Sequence, residues 1–348
     1  MLLLVAVSPK RDTLAALSGS SVRQACSRIS LMTFIQGSWN ALQRVTQVHD
    51  VMIDVEALLS PWGMRLEEPV VLSDAGNLTL WLRPYPLVAR VATLFSGDDA
   101  EFWGEVWQRE LRVAAHLIWH NIPIVAPATG VSAGPHRVAG TWMTLWDYAK
   151  PLEAPPVSID GVAMVRDLTR AMEAFPEKLP RWSPWMHAEE AVQQLHPIAI
   201  EDTRVGDVVK EVEHVAQRIK DDLLFPAHGD AHPGNLLPTH HGWRWIDFED
   251  VSLMPRFWDL ASFVANTALL HGFDHPMVAT ACGLSDVTEP PESFWWAMRA
   301  RVAMSLATNT NWGLALAGQG DRVFAFRQLE RRPKFIHEWT RTLSDFTG

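Results

Sequence analysis

The sequence predicts an α+β chain in two parts, a small mainly antiparallel β part followed by a larger mainly helical one. Three observations carry that reading. Between Pro69 and Ala92 short strand-like runs are separated by turn clusters, and Leu78, Leu80 and Leu82 alternate with Thr79, Trp81 and Arg83. From Asp98 to about His120 they recur at helical spacing on Trp103, Trp107, Leu111, Ala114 and Ile118. After Pro155-Pro156 helical patterns run almost to the end, with one short β interruption at 236–246.

Each element has a local reason. Leu14 and Leu17, then Leu42, Val45, Val48, Val51, Val55, Leu58 and Leu59, predict one or two helices ahead of the main fold, stopped by Pro61-Trp62-Gly63. Val70–Leu72, Leu78–Leu82 and Leu87–Ala92 read as a three-stranded meander, turned at Ser73–Asn77 and at Pro84-Tyr85-Pro86. Asp98 and Asp99 can cap the long helix, which Asn121-Ile122-Pro123 ends. Two further strands are expected at Ala128–Val131 and Thr141–Trp146. Helices follow at about 161–174, 188–195 and 205–224. The expected organisation is an N-terminal helical extension (1–60), a β lobe (61–146) and a helical lobe (147–348).

Composition excludes several classes. The chain has 348 residues, 48% hydrophobic and 20% charged, which is ordinary globular usage. Two cysteines, Cys26 and Cys282, cannot form a disulfide framework or a Cys-rich zinc module, and they fit a reducing cytoplasm. The net charge of −10 argues against nucleic-acid partners. Most of it lies in residues 151–348, where 27 acids and 18 bases give −9. A cationic ligand or plain solubility is the better reading of that charge. No apolar run is long enough to span a membrane. Met1–Val7 is apolar but lacks the preceding basic residues of a signal peptide, so a cytoplasmic chain is expected. Oligomeric state is not legible.

The chemistry is concentrated in His228-Gly229-Asp230-Ala231-His232-Pro233-Gly234-Asn235, then Ile246-Asp247-Phe248-Glu249-Asp250, then Trp258-Asp259. Pro226 and Pro233-Gly234 are expected to forbid regular structure, which puts Asp230 on a tight loop. The flanking runs 236–238 and 243–246 read as a hairpin that folds Asp247 back towards Asn235. Carboxylate and amide oxygens suit a hard cation such as Mg²⁺. A carboxylate outside the metal shell can orient a hydroxyl and accept its proton. Those are the parts phosphoryl transfer to an alcohol requires.

At these residues the chain resembles the aminoglycoside phosphotransferase and choline kinase family, of protein-kinase-like fold. The family form is H-G-D-x-H-x-x-N followed by I-D-x-x-D, and His228–Asn235 and Ile246–Asp250 match it throughout. The resemblance implies that Asp230 is the catalytic base and that Asn235 and Asp247 hold Mg²⁺. His228 and Asp259 would support the catalytic loop. Arg90 and Glu110 would form the ion pair that holds nucleotide phosphates, with Arg in the place where Lys is common. Ser73 and Asn77 would lie in the loop over the phosphates, which here lacks the Gly-rich motif. Trp146 and Asp147 would form the hinge that binds adenine. The implied cofactors are ATP, with GTP the alternative, and Mg²⁺. The implied activity is transfer to a hydroxyl of a small molecule, such as an aminoglycoside or amino alcohol. Two other readings compete: a catalytically dead nucleotide-binding or scaffold protein, and a metallohydrolase built on His228, Asp230 and His232.

Overall fold

A computed structural model describes residues 41–73, 77–92, 100–152, 159–219, 223–271, 275 and 292–317. The expectations for Leu14, Leu17, Asp74–Gly76, Asp98 and Asp99 lie outside the described residues, as does anything after 317. The chain divides into two compact units, one of residues Leu2–Pro155 and Leu236–Glu249, the other of Pro156–Asn235 and Asp250–Gly348.

The first unit is built on a five-stranded antiparallel sheet. Its strands are β1 (Val70–Ser73), β2 (Asn77–Trp81), β3 (Leu87–Ala92), β4 (His136–Val138) and β5 (Thr141–Asp147), in spatial order β1-β2-β3-β5-β4. Alternation assigns the two faces. Leu78, Leu80, Ala89, Val91, Met143 and Leu145 form one buried face, covered by Val51, Val55 and Leu59 of helix α1 (Ala41–Leu59). The sheet's opposite face carries Thr79, Arg90 and Thr144 in cross-strand register. Helix α2 (Ala100–Trp119) brings Trp107 and Glu110 to Arg90 on this side. Arg90 is therefore a charge on the face that faces away from α1, flanked by two threonines instead of aliphatics.

One expected strand is replaced by a different one. Residues 128–131 form no strand; Ala128 N–H donates to the Leu145 carbonyl in a single contact (2.9 Å), and β5 takes β4 as its edge partner. Pro127 has no N–H to give, and Gly130 adds no side chain to pack, so a ladder cannot propagate there.

The hairpin β7 (Leu236–Thr239) and β8 (Gly242–Trp245) also belongs to the first unit. Trp245 N–H donates to the Pro123 carbonyl at 2.9 Å and Arg244 to the Ile124 carbonyl at 2.9 Å.

The second unit holds helices α3 (Ile159–Glu173), α4 (Ser183–Ala199), α5 (Thr203–Ile219), α6 (Trp258–His271) and α7 (Glu292–Ala317). Helix α7 packs against α4, α5 and α6. That explains why its buried residues, among them Trp295, Trp296, Met298, Val302 and Leu306, point in every direction around the axis. Helix α4 begins earlier than its apolar pattern indicates, because Pro184 sits in its first turn, where a missing N–H costs nothing.

Strands β6 (Leu224–Ala227) and β9 (Ser252–Pro255) pair antiparallel. The expectation that Pro226 forbids regular structure is thus corrected. In a two-stranded ribbon every strand is an edge, and an edge accommodates a proline whose N side is unpaired.

Candidate active site

Within the first unit one guanidinium gathers three carboxylates. Arg90, only 13% exposed, pairs with Glu110, with Asp247 Oδ1 at 2.5 Å and with Glu249 Oε2 at 2.9 Å. Its guanidinium carbon also lies 5.1 Å from the Trp107 ring centroid. Glu110 is fully buried and additionally accepts the Phe248 N–H at 3.0 Å. Burial pushes the Glu110 carboxyl above the ordinary range, and the nearby Glu249 charge adds to this, while Arg90 and the Phe248 N–H pull it down. Arg109 donates to the Glu249 carbonyl at 3.1 Å.

Asp247 stands at φ 74°, a left-handed conformation that a non-glycine residue adopts only under constraint. Arg90 and Arg109 both stand beside these acids, and the Asp247 carboxylate offers the hard oxygen that a cation such as Mg²⁺ takes.

Asn77 starts β2 and is buried, so it is a strand residue as well as the end of a turn. Its Nδ2 donates to Glu249 Oε2 at 2.7 Å. Ser73 ends β1 at an irregularity in its pairing with β2, opposite Thr79. Trp146 is buried, with Nε1 donating to Thr144 Oγ1 at 2.9 Å. Asp147 N–H donates to the Ala126 carbonyl at 2.9 Å, and burial raises the Asp147 carboxyl. Next to it Tyr148 stacks on Trp81, centroids 4.4 Å apart.

The second unit contains the loop around Asp230. His228, Asp230, His232 and Asn235 are all buried. Asp259, in the first turn of α6, accepts the His228 N–H at 2.9 Å on one oxygen and the Gly229 N–H at 3.0 Å on the other. Desolvation pushes the Asp259 carboxyl up to about 6, against the pull of those two N–H groups. Trp258 Nε1 donates to the Gly229 carbonyl at 2.7 Å. Gly229 has φ 85°, and a Cβ there would lie 2.2 Å from the Asp250 carbonyl oxygen, so no other residue fits. The Asn235 side chain donates through Nδ2 to the Asp230 carbonyl at 2.9 Å, which leaves its Oδ1 as the acceptor end.

His232 Nδ1 accepts the Gly234 N–H at 2.8 Å, so in the neutral ring the proton is on Nε2, which faces Asp230 Oδ2 at 3.5 Å. A ring so engaged serves the loop's shape. Among the described residues no group of three His, Cys, Asp or Glu has the arrangement of a metal site.

Sequence reasoning missed Arg301. From the middle of α7 it donates through one terminal nitrogen to Asp230 Oδ1 at 2.6 Å, and it is 3% exposed. No motif marks it. Its only signal is a charge inside an otherwise apolar stretch, shared by Arg299, which instead pairs with Glu211 of α5 at 2.5 and 3.0 Å. Glu249 was also missed as a partner of Arg90 and Asn77.

The family model of the phosphotransferase enzyme family matches residues 105–290, more than half of the chain. The chain belongs to that family. The matched phosphotransferase segment includes Glu110, Asp147 and the whole stretch from His228 to Asp259; Arg90 and Arg301 lie outside it. No curated protein sequence matches the chain. Solved structures share the fold at low identity. A choline/ethanolamine kinase family protein from Mesorhizobium loti superposes with a TM-score of 0.56 at 16% identity, covering 84% of this chain and 98% of its own. Amicoumacin kinase, in complex with AMP-PNP, Ca²⁺ and its ligand, gives 0.56 at 13%, covering 83% and 96%. An aminoglycoside 2′-phosphotransferase in its GDP complex gives 0.58 at 12%, covering 84% and 98%. The fold is protein-kinase-like, α+β. Among the described residues no helix is long and apolar enough to cross a membrane.

Proposed function

We propose that this phosphotransferase moves the γ-phosphoryl group of ATP to a hydroxyl of a small molecule. The observation that carries the reading is the state of Asp230. Its loop is fixed at both ends, by Asp259 on the N–H groups of His228 and Gly229 and by Asn235 on the carbonyl of Asp230 itself. A carboxylate held in this way can orient a hydroxyl and accept its proton, which suits a reaction dominated by positioning.

The remaining roles follow from chemistry. Asn235 Oδ1 and the Asp247 carboxylate would hold Mg²⁺, whose charge offsets that of the phosphates. Arg90, locked by Glu110, would meet phosphate oxygens with a planar, permanently charged fork. Ser73 and Asn77 would border the phosphates, and the backbone of Trp146 and Asp147 would meet the adenine. GTP is the alternative donor. Nucleotide use is supported by the AMP-PNP and GDP complexes of the fold neighbours. The neighbours' names point to small acceptors, choline or ethanolamine and aminoglycosides. The acidic excess of residues 151–348 favours an acceptor that is cationic overall, drawn in at long range. The segment between Asp247 and Asp259 is short, which disfavours a protein acceptor.

The test is coupled ADP release with Mg·ATP over aminoglycosides, macrolides, amino alcohols, sugars and hydroxy amino acids. Acceptor-dependent turnover that Asp230→Asn abolishes supports the reading. Absence of turnover with every acceptor, in protein that binds Mg·ATP, would favour a nucleotide-binding scaffold.

A further inference from the structure

Glu249 is the one acid beside Arg90 without a role in phosphoryl transfer, yet it holds two side chains assigned to the phosphates. Its Oε2 accepts from Arg90 Nη2 at 2.9 Å and from Asn77 Nδ2 at 2.7 Å. The donors come from neighbouring strands, Asn77 at the start of β2 and Arg90 in β3, and they meet on a single oxygen. Two N–H groups converging on one anionic oxygen, one of them from a guanidinium, make a seat for an oxyanion. A phosphate oxygen asks for the same partners. In this chain the seat is filled from within, by a carboxylate.

The three acids around Arg90 are not equally free to leave. Glu110 is fully buried and also accepts the Phe248 N–H at 3.0 Å. The Asp247 side chain is 12% exposed and that of Glu249 22%, the most open of the three. The backbone of Glu249 is held, since Arg109 donates to its carbonyl at 3.1 Å. The side chain can therefore turn out by a change of rotamer, with the loop in place. An incoming anion requires that turn. Nη2 of Arg90 carries two hydrogens, and Asp247 Oδ1 takes one while Glu249 Oε2 takes the other. A bare polyphosphate must displace Oε2 and then stand beside the displaced charge, a like-charge contact that is costly in a poorly screened site. A divalent cation carried by the phosphates offsets that repulsion, because its hard charge suits both sets of oxygens.

Resting on the phosphotransferase reading, we propose that Glu249 stands in for a phosphate oxygen between Arg90 and Asn77, and so selects the metal-complexed nucleotide over metal-free anions. Glu249 is then a specificity residue for the form of the phosphoryl donor, distinct from Asp247, which offers an oxygen to the metal.

Calorimetric titration of the full chain with inorganic triphosphate and with ADP, each after chelation of metal and again with Mg²⁺, tests this. Wild type is expected to bind both roughly ten-fold or more weakly without metal. Glu249→Gln keeps the shape and removes the charge. It is expected to tighten metal-free binding by about ten-fold and to narrow the gap between the two conditions. Glu249→Ala empties the seat and is expected to act in the same direction. Adding Asn77→Ala to Glu249→Gln is expected to reverse much of the gain, because one of the two donors is gone. A merely structural glutamate would lower Tm when replaced and leave the metal dependence as it was. Equal affinity with and without metal in wild type, metal-free binding that is unchanged or weaker in the Glu249 variants, or no binding of either anion by any of these proteins, overturns the proposal. If Glu249→Gln does not fold, Glu249→Ala decides by the same readings. No acceptor and no transfer are involved, so failure of the phosphotransferase reading appears separately, as absence of turnover with the response to anions intact.

Discussion

At the residue scale Asp230 carries two burdens. As a base it is expected to lose kcat by roughly 10²–10⁴-fold on change to Asn. It is also half of a buried pair, and removing one partner strands the other at a cost of about 3–5 kcal/mol. Asp230→Asn is therefore expected to be clearly less stable, and Asp230→Asn with Arg301→Gln less destabilised than the two single changes added. Urea unfolding of the four proteins checks this, and strict additivity would remove the pair from the account. Asp259 gives a pH signature. Its carboxyl lies at about 6 in the folded chain against an ordinary 3.8. The folded state holds the proton longer, so Asp259's contribution to stability is largest below pH 4, falls between 4 and 6, and is flat above. The stability difference between wild type and Asp259→Asn should thus shrink by about 3 kcal/mol across that interval. A difference that grows or stays level would contradict the burial argument.

At the element scale two glycines separate packing from chemistry. In α3, a Cβ on Gly161 would stand 2.4 Å from Phe263 Cζ of α6. Gly161→Ala forces that ring aside and is expected to cost about 1–3 kcal/mol, seen as a lowered Tm with kcat of the folded enzyme retained. Gly229→Ala meets a backbone carbonyl, which cannot step aside, and does so at a positive φ. It is expected to lose both stability and kcat, because the loop that presents Asp230 must move. If both changes behave alike in kcat, the Gly229 loop is not what presents the base. Helix α2 shows the same division. Its apolar stripe was legible from spacing and Glu110 was expected to pair with Arg90, but its complete burial and the Phe248 N–H it accepts come only from the fold.

At the scale of the whole molecule, the residues assigned to chemistry all lie between Ser73 and Arg301. Deleting residues 1–30 removes none of them, and turnover per folded molecule is expected to be unchanged. A folded truncation with reduced kcat would show that the segment supplies a group to the reaction. Deletion into α1 is a different matter, since Val51, Val55 and Leu59 cover one face of the sheet. Loss of several such side chains, at about 2–5 kcal/mol each, is expected to unfold the sheet unit.

The sequence by itself determined the elements whose signal is local. Strand β3 was legible at Leu87–Ala92 as an apolar run carrying one charge and starting after Pro86, and the β7–β8 hairpin by its His-His-Gly turn. It also singled out Asp230, Asn235, Asp247 and Asp259, because their motif is written in short consecutive stretches of chain. Tertiary structure decided what depends on distant segments. Pro226 is in a strand because β9, some 25 residues on, offers it an edge. Residues 128–131 are not a strand because β4 takes their place beside β5. Arg301 reaches Asp230 across 71 positions of sequence. A charge on an apolar helix has no preferred partner until packing buries it, and burial is what makes the partner obligatory.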